Sequence, residues 1–368
     1  MNEEKIVFDC PEGIFYNPKM RFCRSIYSLA IGAADAKLNV IDAFCASGIR
    51  GIRYAKENKN VVSTVFLDWS SNCMKFAKKN AKKNKVKQVK FISSDVISFL
   101  VGNFYDSKID FDFVELDPFG TPAPYLWPVF FSMQKKKSFY LSATATDTAV
   151  LCGPEAKACL KNYHSRNLNN EFTHENGLRI LIKRIAEVAA EFNFGITPLF
   201  SLSDRHYLKV LVKCENSAVK ADESVKKLGY IHYCSCGWRD SSRRVREKCL
   251  ICGKEPDYGG LLWLGDTSDK VFVEKMLELN KKRGYADENE ISKVLGNVKN
   301  EISLPPWYFD LHRTCKRLGT GGVPKMENVL SELRKRGFAA FRTHFSDVSV
   351  KTDASVDDVE KAVKAAKV

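Results

Sequence analysis

Short apolar runs that alternate with helix-like segments constrain the fold of this chain more than any other feature. Five runs rich in branched and aromatic residues lie between residues 38 and 145: LNVIDAF, VVSTVFLD, VKFISS, FDFVEL and SFYLSATA. The segments between them are long enough to cross over a sheet. This alternation predicts a parallel, doubly wound α/β sheet with helices on both faces.

Two further apolar runs predict how the sheet ends. They lie in ITPLFSLSDRHYLKVLVKC, after an amphipathic helix pattern at 177–194, and they join tightly at Ser203-Asp204-Arg205. Such a tight connection predicts an antiparallel hairpin. Dinucleotide-binding Rossmann domains lack this hairpin, whereas it is typical of class I methyltransferases. The predicted fold is therefore a Rossmann-like class I methyltransferase sheet with an antiparallel final hairpin.

The length and charge of the chain predict two domains and a polyanionic partner. A change of composition near residue 215 divides the 368 residues into 1–215 and a smaller α/β domain at 216–368. The formal net charge of +14 includes the runs KKNAKKNKVK and SSRRVREK, which favours nucleic acid over an evenly charged solvated surface. No stretch has the apolar length of a membrane span, and the start does not resemble a signal peptide. We therefore expect a cytoplasmic protein, and we infer no obligate protein partner.

Four of the 12 cysteines form a candidate metal site in a zinc-ribbon-like segment at 232–253. Cys234 and Cys236 form a C-x-C pair, and Cys249 and Cys252 form a C-x-x-C pair. Paired thiols on two tight turns suit tetrahedral zinc. The alternative is a set of reduced, unmetallated thiols, and His232 is a further candidate ligand that could replace one of them. We expect zinc with a structural role.

The sequence Asp117-Pro118-Phe119-Gly120 follows the run FDFVEL directly. Pro118 restricts its own φ and favours an extended Asp117, which holds the carboxylate at the end of a buried strand. Open α/β sheets bind their ligands at that edge. An acceptor beside the flat ring of Phe119 suits a nucleobase with an exocyclic amine. The alternative is a strand end closed by an Asx turn, with the ring in the core.

Acidic residues also mark the ends of the first three predicted strands. Asp42 lies within the first, Asp68 follows the second and Asp95 follows the third. An acid after the second strand is placed to accept hydrogen bonds from the ribose hydroxyls of a nucleoside cofactor. The loop CASG lacks the glycine pattern that brings a pyrophosphate to a helix, and Arg50 follows it. These features favour S-adenosylmethionine, which has no phosphate, over a dinucleotide.

Seven motifs in order resemble the tRNA (guanine(26)-N2)-dimethyltransferase family, S-adenosylmethionine-dependent enzymes of archaea, eukaryotes and some bacteria. The resemblance runs from about residue 12 to the C-terminus. The motifs are FYNPKM with Arg24 following, ASGIRGIRYA, DPFGTPAP, TATDTAVLCG, HENGLRILI, LLWLG, and RTHF followed by VKTDAS. The chain departs from the family at Cys23-Arg24-Ser25, where Asn-Arg-Asp is usual. It also has a C-x-C pair where the family has C-x-x-C.

The resemblance implies an activity and a set of site residues. The activity is transfer of one or two methyl groups from S-adenosylmethionine to the 2-amino group of guanine 26 in tRNA. Asp117 corresponds to the catalytic acid, which would accept the amine protons of a flipped-out guanine. The resemblance places Phe15, Pro118 and Phe119 around that base, and Arg24, Arg50, Asp68, Asp95 and Val96 around the cofactor.

Two other functions are compatible with the residues. An acid-Pro-aromatic motif also resembles that of adenine-amine methylases, so the substrate is alternatively DNA or another RNA. A non-catalytic, zinc-bearing RNA-binding protein would keep the fold without the reaction. Substrate choice distinguishes the first alternative, and S-adenosylmethionine binding distinguishes the second. The sequence does not predict whether one or two methyl groups are added.

Overall fold

The computed structural model describes residues 1–366 as fifteen strands and fourteen α-helices, with a 3-10 turn at Pro18–Met20. The strands are β1 (Asn2–Glu3), β2 (Ile6–Val7), β3 (Leu38–Ala43), β4 (Val61–Asp68), β5 (Val89–Ser93), β6 (Phe113–Leu116), β7 (Ser138–Ala145), β8 (Phe194–Asp204), β9 (Tyr207–Asn216), β10 (Leu228–Tyr233), β11 (Arg239–Ser242), β12 (Asp257–Trp263), β13 (Phe309–Asp310), β14 (Ala340–Arg342) and β15 (Ser349–Thr352). The helices are α1 (Arg21–Ala33), α2 (Ile49–Glu57), α3 (Ser71–Lys83), α4 (Val96–Asp106), α5 (Ala123–Met133), α6 (Thr148–Leu151), α7 (Ala156–Tyr163), α8 (Thr173–Glu191), α9 (Ala218–Val225), α10 (Lys270–Arg283), α11 (Glu288–Glu301), α12 (Leu311–Leu318), α13 (Met326–Lys335) and α14 (Val356–Ala365).

A seven-stranded sheet in the order β5-β4-β3-β6-β7-β9-β8 forms the centre of the molecule. Strands β3 to β7 pair in parallel, and β9 pairs antiparallel with both β7 and β8. The predicted parallel sheet and its antiparallel hairpin are both confirmed. The strand order reverses between β3 and β6, and a crevice for a ligand is expected outside the carboxyl ends of these strands.

The N-terminal residues pack against the first two crossover helices. Ile6 and Phe8 are buried with Ile52 of α2 and Ala77 of α3. The side chain of Asn80 on α3 fixes the backbone of Asp9. It accepts from the Asp9 amide at 2.8 Å and donates to the Asp9 carbonyl at 2.9 Å. Residues 1–9 are therefore anchored, and the chain from there to α1 carries Phe15.

The residues after β9 fold back onto the first part of the chain. Two three-stranded antiparallel sheets, β11-β10-β12 and β13-β15-β14, belong to this part. Helices α10 and α11 share a buried apolar core with α1, and Trp263 of β12 is buried in the same core as α8. The large sheet ends at Asn216. Because the two parts share hydrophobic cores, the domain boundary at 215/216 stays a prediction.

Within residues 1–366, no helix combines the length and the apolar character that crossing a membrane requires.

Candidate active site

Asp117 lies immediately after β6, at the carboxyl edge of the sheet. The loop that follows it is fixed by the loop after β7. The Gly120 amide donates to Thr146 Oγ1 at 2.8 Å, and the Thr146 amide donates to the Gly120 carbonyl at 2.9 Å. Gly120 has φ +77°, a left-handed conformation that favours glycine. These contacts hold the backbone directly after Phe119.

The rings of Phe15 and Phe119 lie together although the two residues are far apart in sequence. Their centroids are 4.8 Å apart and their planes are inclined at 86°. Phe119 is 79% exposed and Phe15 is 53% exposed, so the pair presents aromatic surface to solvent. The alternative in which the Phe119 ring belongs to the core is therefore wrong. Pro118, between the acid and the ring, is buried.

The carboxylate of Asp117 is ionised and partly open. Its side chain is 24% exposed and contacts the guanidinium of Arg50, which α2 supplies. Burial favours protonation, but the positive charges of Arg50 and Lys209 and a hydrogen bond from Thr144 outweigh it and lower the pKa of Asp117 to about 2. At neutral pH this group is a permanent hydrogen-bond acceptor and a weak base.

The loop after β3 and the last residue of β4, Asp68, lie at the carboxyl edge of the sheet, where the sequence predicts the cofactor to bind. Asp68 accepts from the Ala46 amide and from the Ser70 amide, both at 3.0 Å, and so joins this loop to the start of α3. Gly48 has φ +77°, and a β-carbon there would lie 3.1 Å from that of Ala77, which α3 places beside it. Each Asp68 oxygen has a further lone pair for a ribose hydroxyl.

The other predicted cofactor residues have varied environments. Asp95 is exposed and caps α4 by accepting from the Ser98 amide at 2.9 Å, while Val96 is buried in the main core. Asp42 accepts from the Gly51 amide at 2.9 Å, and burial raises its pKa to about 7 despite the charge of Arg50. Asp42 thus has a structural contact that joins β3 to α2, and it was not among the site residues that the resemblance implies.

Arg24 is buried against an acid that sequence reasoning missed. Its Nε donates to Glu3 Oε1 at 2.7 Å, and its Nη2 contacts Glu3 and donates to the Asn17 carbonyl at 3.1 Å. Arg53 of α2 also donates to Glu3, at 2.9 Å. Nη1 of Arg24 makes no hydrogen bond to any residue within 1–366. This nitrogen is the one available for a carboxylate ligand.

The four predicted metal ligands lie together. All four Sγ atoms of Cys234, Cys236, Cys249 and Cys252 are within 4.8 Å of one another. The Sγ atoms of Cys234 and Cys252 are 3.4 Å apart and those of Cys236 and Cys249 are 3.6 Å apart. These separations fit a tetrahedron of Zn–S bonds of about 2.3 Å, whose edges are about 3.8 Å. His232 does not belong to this group of ligand atoms, and its Nε2 accepts from the Arg246 amide at 3.0 Å. The shortened C-x-C pair therefore still suits zinc.

A layer of charges beneath Asp117 was also missed by the sequence reasoning. Glu115 of β6 and Lys209 of β9 are fully buried and in contact. Lys209 Nζ donates to Thr144 Oγ1 at 2.8 Å, and Tyr54 donates to Glu115 Oε2 at 2.9 Å. Charged residues within apolar runs, FDFVEL and YLKVLV, were the available signal.

The sheet has the strand order β5-β4-β3-β6-β7-β9-β8, and β9 runs antiparallel to its neighbours. These two features define a class I methyltransferase fold. The chain belongs to the N2,N2-dimethylguanosine tRNA methyltransferase family, whose model matches residues 1–364.

Solved and curated relatives are similar over nearly the whole chain. The solved complex of Trm1 from Pyrococcus horikoshii with S-adenosyl-L-methionine is 30% identical, has a TM-score of 0.88 and is matched over 99% of both chains. The tRNA (guanine(26)-N(2))-dimethyltransferase of Thermococcus kodakarensis is 34% identical over 97% of this chain and 94% of its own. The tRNA (guanine(26)-N(2)/guanine(27)-N(2))-dimethyltransferase of Aquifex aeolicus is also 34% identical, over 95% of this chain and 90% of its own.

Proposed function

We propose that this protein transfers methyl groups from S-adenosylmethionine to the exocyclic 2-amino group of guanine 26 in tRNA. The observation that carries the proposal is the placement of an ionised acceptor, Asp117, two residues from the exposed ring of Phe119, which contacts Phe15. Family membership and the names of the curated relatives support the substrate.

The residues of the cofactor edge suit S-adenosylmethionine by their chemistry. When bound, this cofactor supplies a methyl group that its sulfonium makes electrophilic. Asp68 would accept from the ribose hydroxyls, and Asp95 with Val96 would border the adenine. Arg24, through its free Nη1, and Arg50 would face the methionine carboxylate. Since Arg50 also contacts Asp117, one guanidinium would join the cofactor site to the acceptor site.

Asp117 would act on the amine that becomes methylated. The lone pair of a guanine amine is delocalised into the ring, so hydrogen bonds from its protons to a carboxylate favour a pyramidal, nucleophilic nitrogen. The amine would bond to the methyl carbon as that carbon leaves the sulfonium sulfur, and one N–H proton would then pass to Asp117 or to water. A pKa of about 2 suits an acceptor that takes the proton late, after the nitrogen has become strongly acidic.

The aromatic pair would hold the base outside the tRNA stack. A guanine inside folded RNA is unreachable until it is flipped, and flat side chains offset part of the lost stacking. Phe119 and Phe15 present such surfaces beside the acceptor. Once one methyl group is attached, one N–H remains for Asp117, so the same site would support a second transfer.

The cysteine cluster would hold a structural zinc beside a basic loop at 241–248. Arg243, Arg244 and Lys248 of this loop are exposed. The loop is tied to β10 through His232, two residues before the first thiol. We propose that the metal keeps this loop in place to contact RNA phosphates. We also propose a cytoplasmic location, which the 12 free cysteines support.

Methyl transfer to an unmodified tRNA transcript tests the proposal, with nucleoside mass spectrometry as the readout and a transcript with adenine at position 26 as the control. We expect methylated guanosine that disappears with the control. Methylation that persists in the control would show that the methylated base is not guanine 26 but another base of the RNA. No methylation of any tRNA by protein that binds S-adenosylmethionine would overturn the proposal.

A further inference from the structure

The turn between the last two cysteines of the cluster presents two apolar side chains to solvent. Leu250 is 71% exposed and its neighbour Ile251 is 52% exposed. Single apolar residues on a surface need no explanation, whereas adjacent ones mark a contact surface. We call Leu250 and Ile251 the knuckle tip, and the residues around it indicate what kind of partner it contacts.

Backbone hydrogen bonds fix the base of the knuckle tip. The Cys249 amide donates to the Lys254 carbonyl at 2.7 Å, and the Gly253 amide donates to the Cys249 carbonyl at 3.0 Å. Cys249 itself is buried in one small cluster with Trp238. Residues 250–252 therefore protrude from a closed turn whose base is part of the packed structure. Because this turn is already ordered, binding of a partner costs little conformational entropy.

Positive charges lie on both sides of the knuckle tip. Between residues 243 and 255 the exposed cations are Arg243, Arg244, Lys248 and Lys254, and the exposed acids are Glu247 and Glu255. Arg246 is paired with Asp240, whereas no carboxylate within residues 1–366 pairs with those four cations. A partner of the knuckle tip should therefore be an anion with apolar surface of its own.

The basic loop at 241–248 encloses an open hollow next to the knuckle tip. The hollow has a volume of about 600 Å³, and all the residues that line it lie within 242–248. The loop is held at two points, because Arg243 Nη2 donates to the Lys226 carbonyl at 3.1 Å and the Arg246 amide donates to His232 at 3.0 Å. A phosphate group suits this hollow, because arginine and lysine side chains line it.

We propose that the knuckle tip packs against an unstacked base of the substrate RNA while the basic loop binds the neighbouring phosphates. Leucine and isoleucine are among the side chains that proteins insert between base steps, with arginine and lysine nearby. RNA offers apolar base faces and regularly spaced phosphates together, which matches the apolar tip between exposed cations. The inference rests on the proposed function for the identity of the RNA. It extends that function by assigning a base contact to residues outside the large sheet and its loops.

The double variant Leu250→Ser with Ile251→Ser tests the proposal in binding titrations of the whole protein with an unmodified tRNA transcript. We expect the affinity to fall about tenfold, since two apolar side chains lose their contact with a base. The slope of log K against log salt should stay that of the wild type, because no cation is removed. The matched control is Val219→Ser with Val271→Ser, which removes two exposed apolar side chains from α9 and α10.

Heparin, a polyanion without bases, separates contacts to bases from attraction between charges. The knuckle-tip double variant should bind heparin as tightly as the wild type does. Arg244→Ala with Lys248→Ala should bind both heparin and tRNA more weakly. The melting temperature of the knuckle-tip variant should equal that of the wild type, since both side chains are exposed. Leu250→Ser alone should show a smaller loss of tRNA affinity in the same direction.

The outcomes of these titrations separate the inference from the proposed function. Equal tRNA affinity in the knuckle-tip variant and its control, or equal losses of affinity for tRNA and heparin, would overturn the base contact. A variant that keeps its tRNA affinity but no longer self-associates in gel filtration would also overturn it, by placing the tip between copies of the chain. If the wild type methylates no tRNA while the knuckle-tip variant loses tRNA affinity, the proposed function fails and the base contact stands.

Discussion

The edge of one ring meets the face of the other where Phe15 and Phe119 contact, with centroids 4.8 Å apart. A base inserted between two flat groups needs about 7 Å, twice the usual carbon–carbon contact distance. The two rings therefore present exposed faces to a base, but they leave no gap between them that a base could enter. Because hydrogen bonds to Thr146 hold the loop of Phe119, we expect the segment that carries Phe15 to move when a base is sandwiched.

Removal of either ring should weaken capture of the target base. We expect Phe119→Ala and Phe15→Ala to lower kcat/KM for tRNA by about 10- to 100-fold, because stacking on one aromatic ring contributes about 1–3 kcal/mol. S-adenosylmethionine affinity should not change. Tyr105→Ala, which removes an exposed ring on α4, is the control. Undiminished kcat/KM in both variants would show that the base binds elsewhere.

The stability contributed by the Asp117 charge should depend on pH in a defined direction. The folded pKa of about 2 lies below the ordinary value of 3.8, so the contribution is full above 3.8 and is lost as the pH falls toward 2. The difference in free energy of unfolding between wild type and Asp117→Asn should therefore shrink on acidification. Urea unfolding at several pH values measures it. A difference that does not vary with pH would contradict the assigned ion pair.

Glu3 should anchor the N-terminal segment through its two arginines. Nearby positive charges lower the pKa of Glu3 despite its burial, so it is ionised beside Arg24 and Arg53. Glu3→Gln leaves the buried guanidinium of Arg24 without an anion, whereas Arg53 keeps its ion pair with Glu57, and we expect a loss of about 3–5 kcal/mol in the free energy of unfolding. Denaturant unfolding measures the loss. Glu12→Gln, at an exposed glutamate, should have almost no effect.

Loss of one thiol should abolish metal binding. We expect purified wild type to contain one zinc per chain and Cys249→Ser to contain almost none, with a lower melting temperature, because structural zinc contributes to folding. Elemental analysis is the measurement. Cys315→Ser, at a buried cysteine outside the cluster, should keep its metal. Metal content that is the same in both variants would exclude the four-thiol site.

The basic loop should contribute to tRNA affinity through phosphates. We expect Arg244→Ala with Lys248→Ala to weaken binding of every tRNA and to reduce the slope of log K against log salt by about 1.5, since each phosphate contact contributes about 0.7–0.9. Binding titrations at several salt concentrations measure the slope. The control is Lys281→Ala with Lys282→Ala on α10, which removes the same amount of positive charge. An equal slope change in both pairs would mean nonspecific attraction.

Much of the site could be predicted because its signals are local. The strand before Asp117, the turn at Gly120 and the two cysteine pairs each depend on neighbouring residues, whose periodicity and turn chemistry are visible in the sequence. Glu115 and Lys209 were visible only as charges within apolar runs. Nothing nearby in sequence indicates that the two are partners, because they are separated by 94 positions.

By itself the sequence determined the alternation of strands and helices, the closing hairpin, the acceptor at a strand end and the four thiols. Tertiary structure alone decided which charges meet: Arg24 with Glu3, Arg50 with Asp117, and Lys209 with Thr144. The physical reason is that a buried charge is costly unless it is paired, and tertiary packing decides which side chains come close enough to pair. The register between β7 and β9, for example, sets which of their side chains face each other. Periodicity reports which face of an element is buried, but it does not report the partner on the facing element.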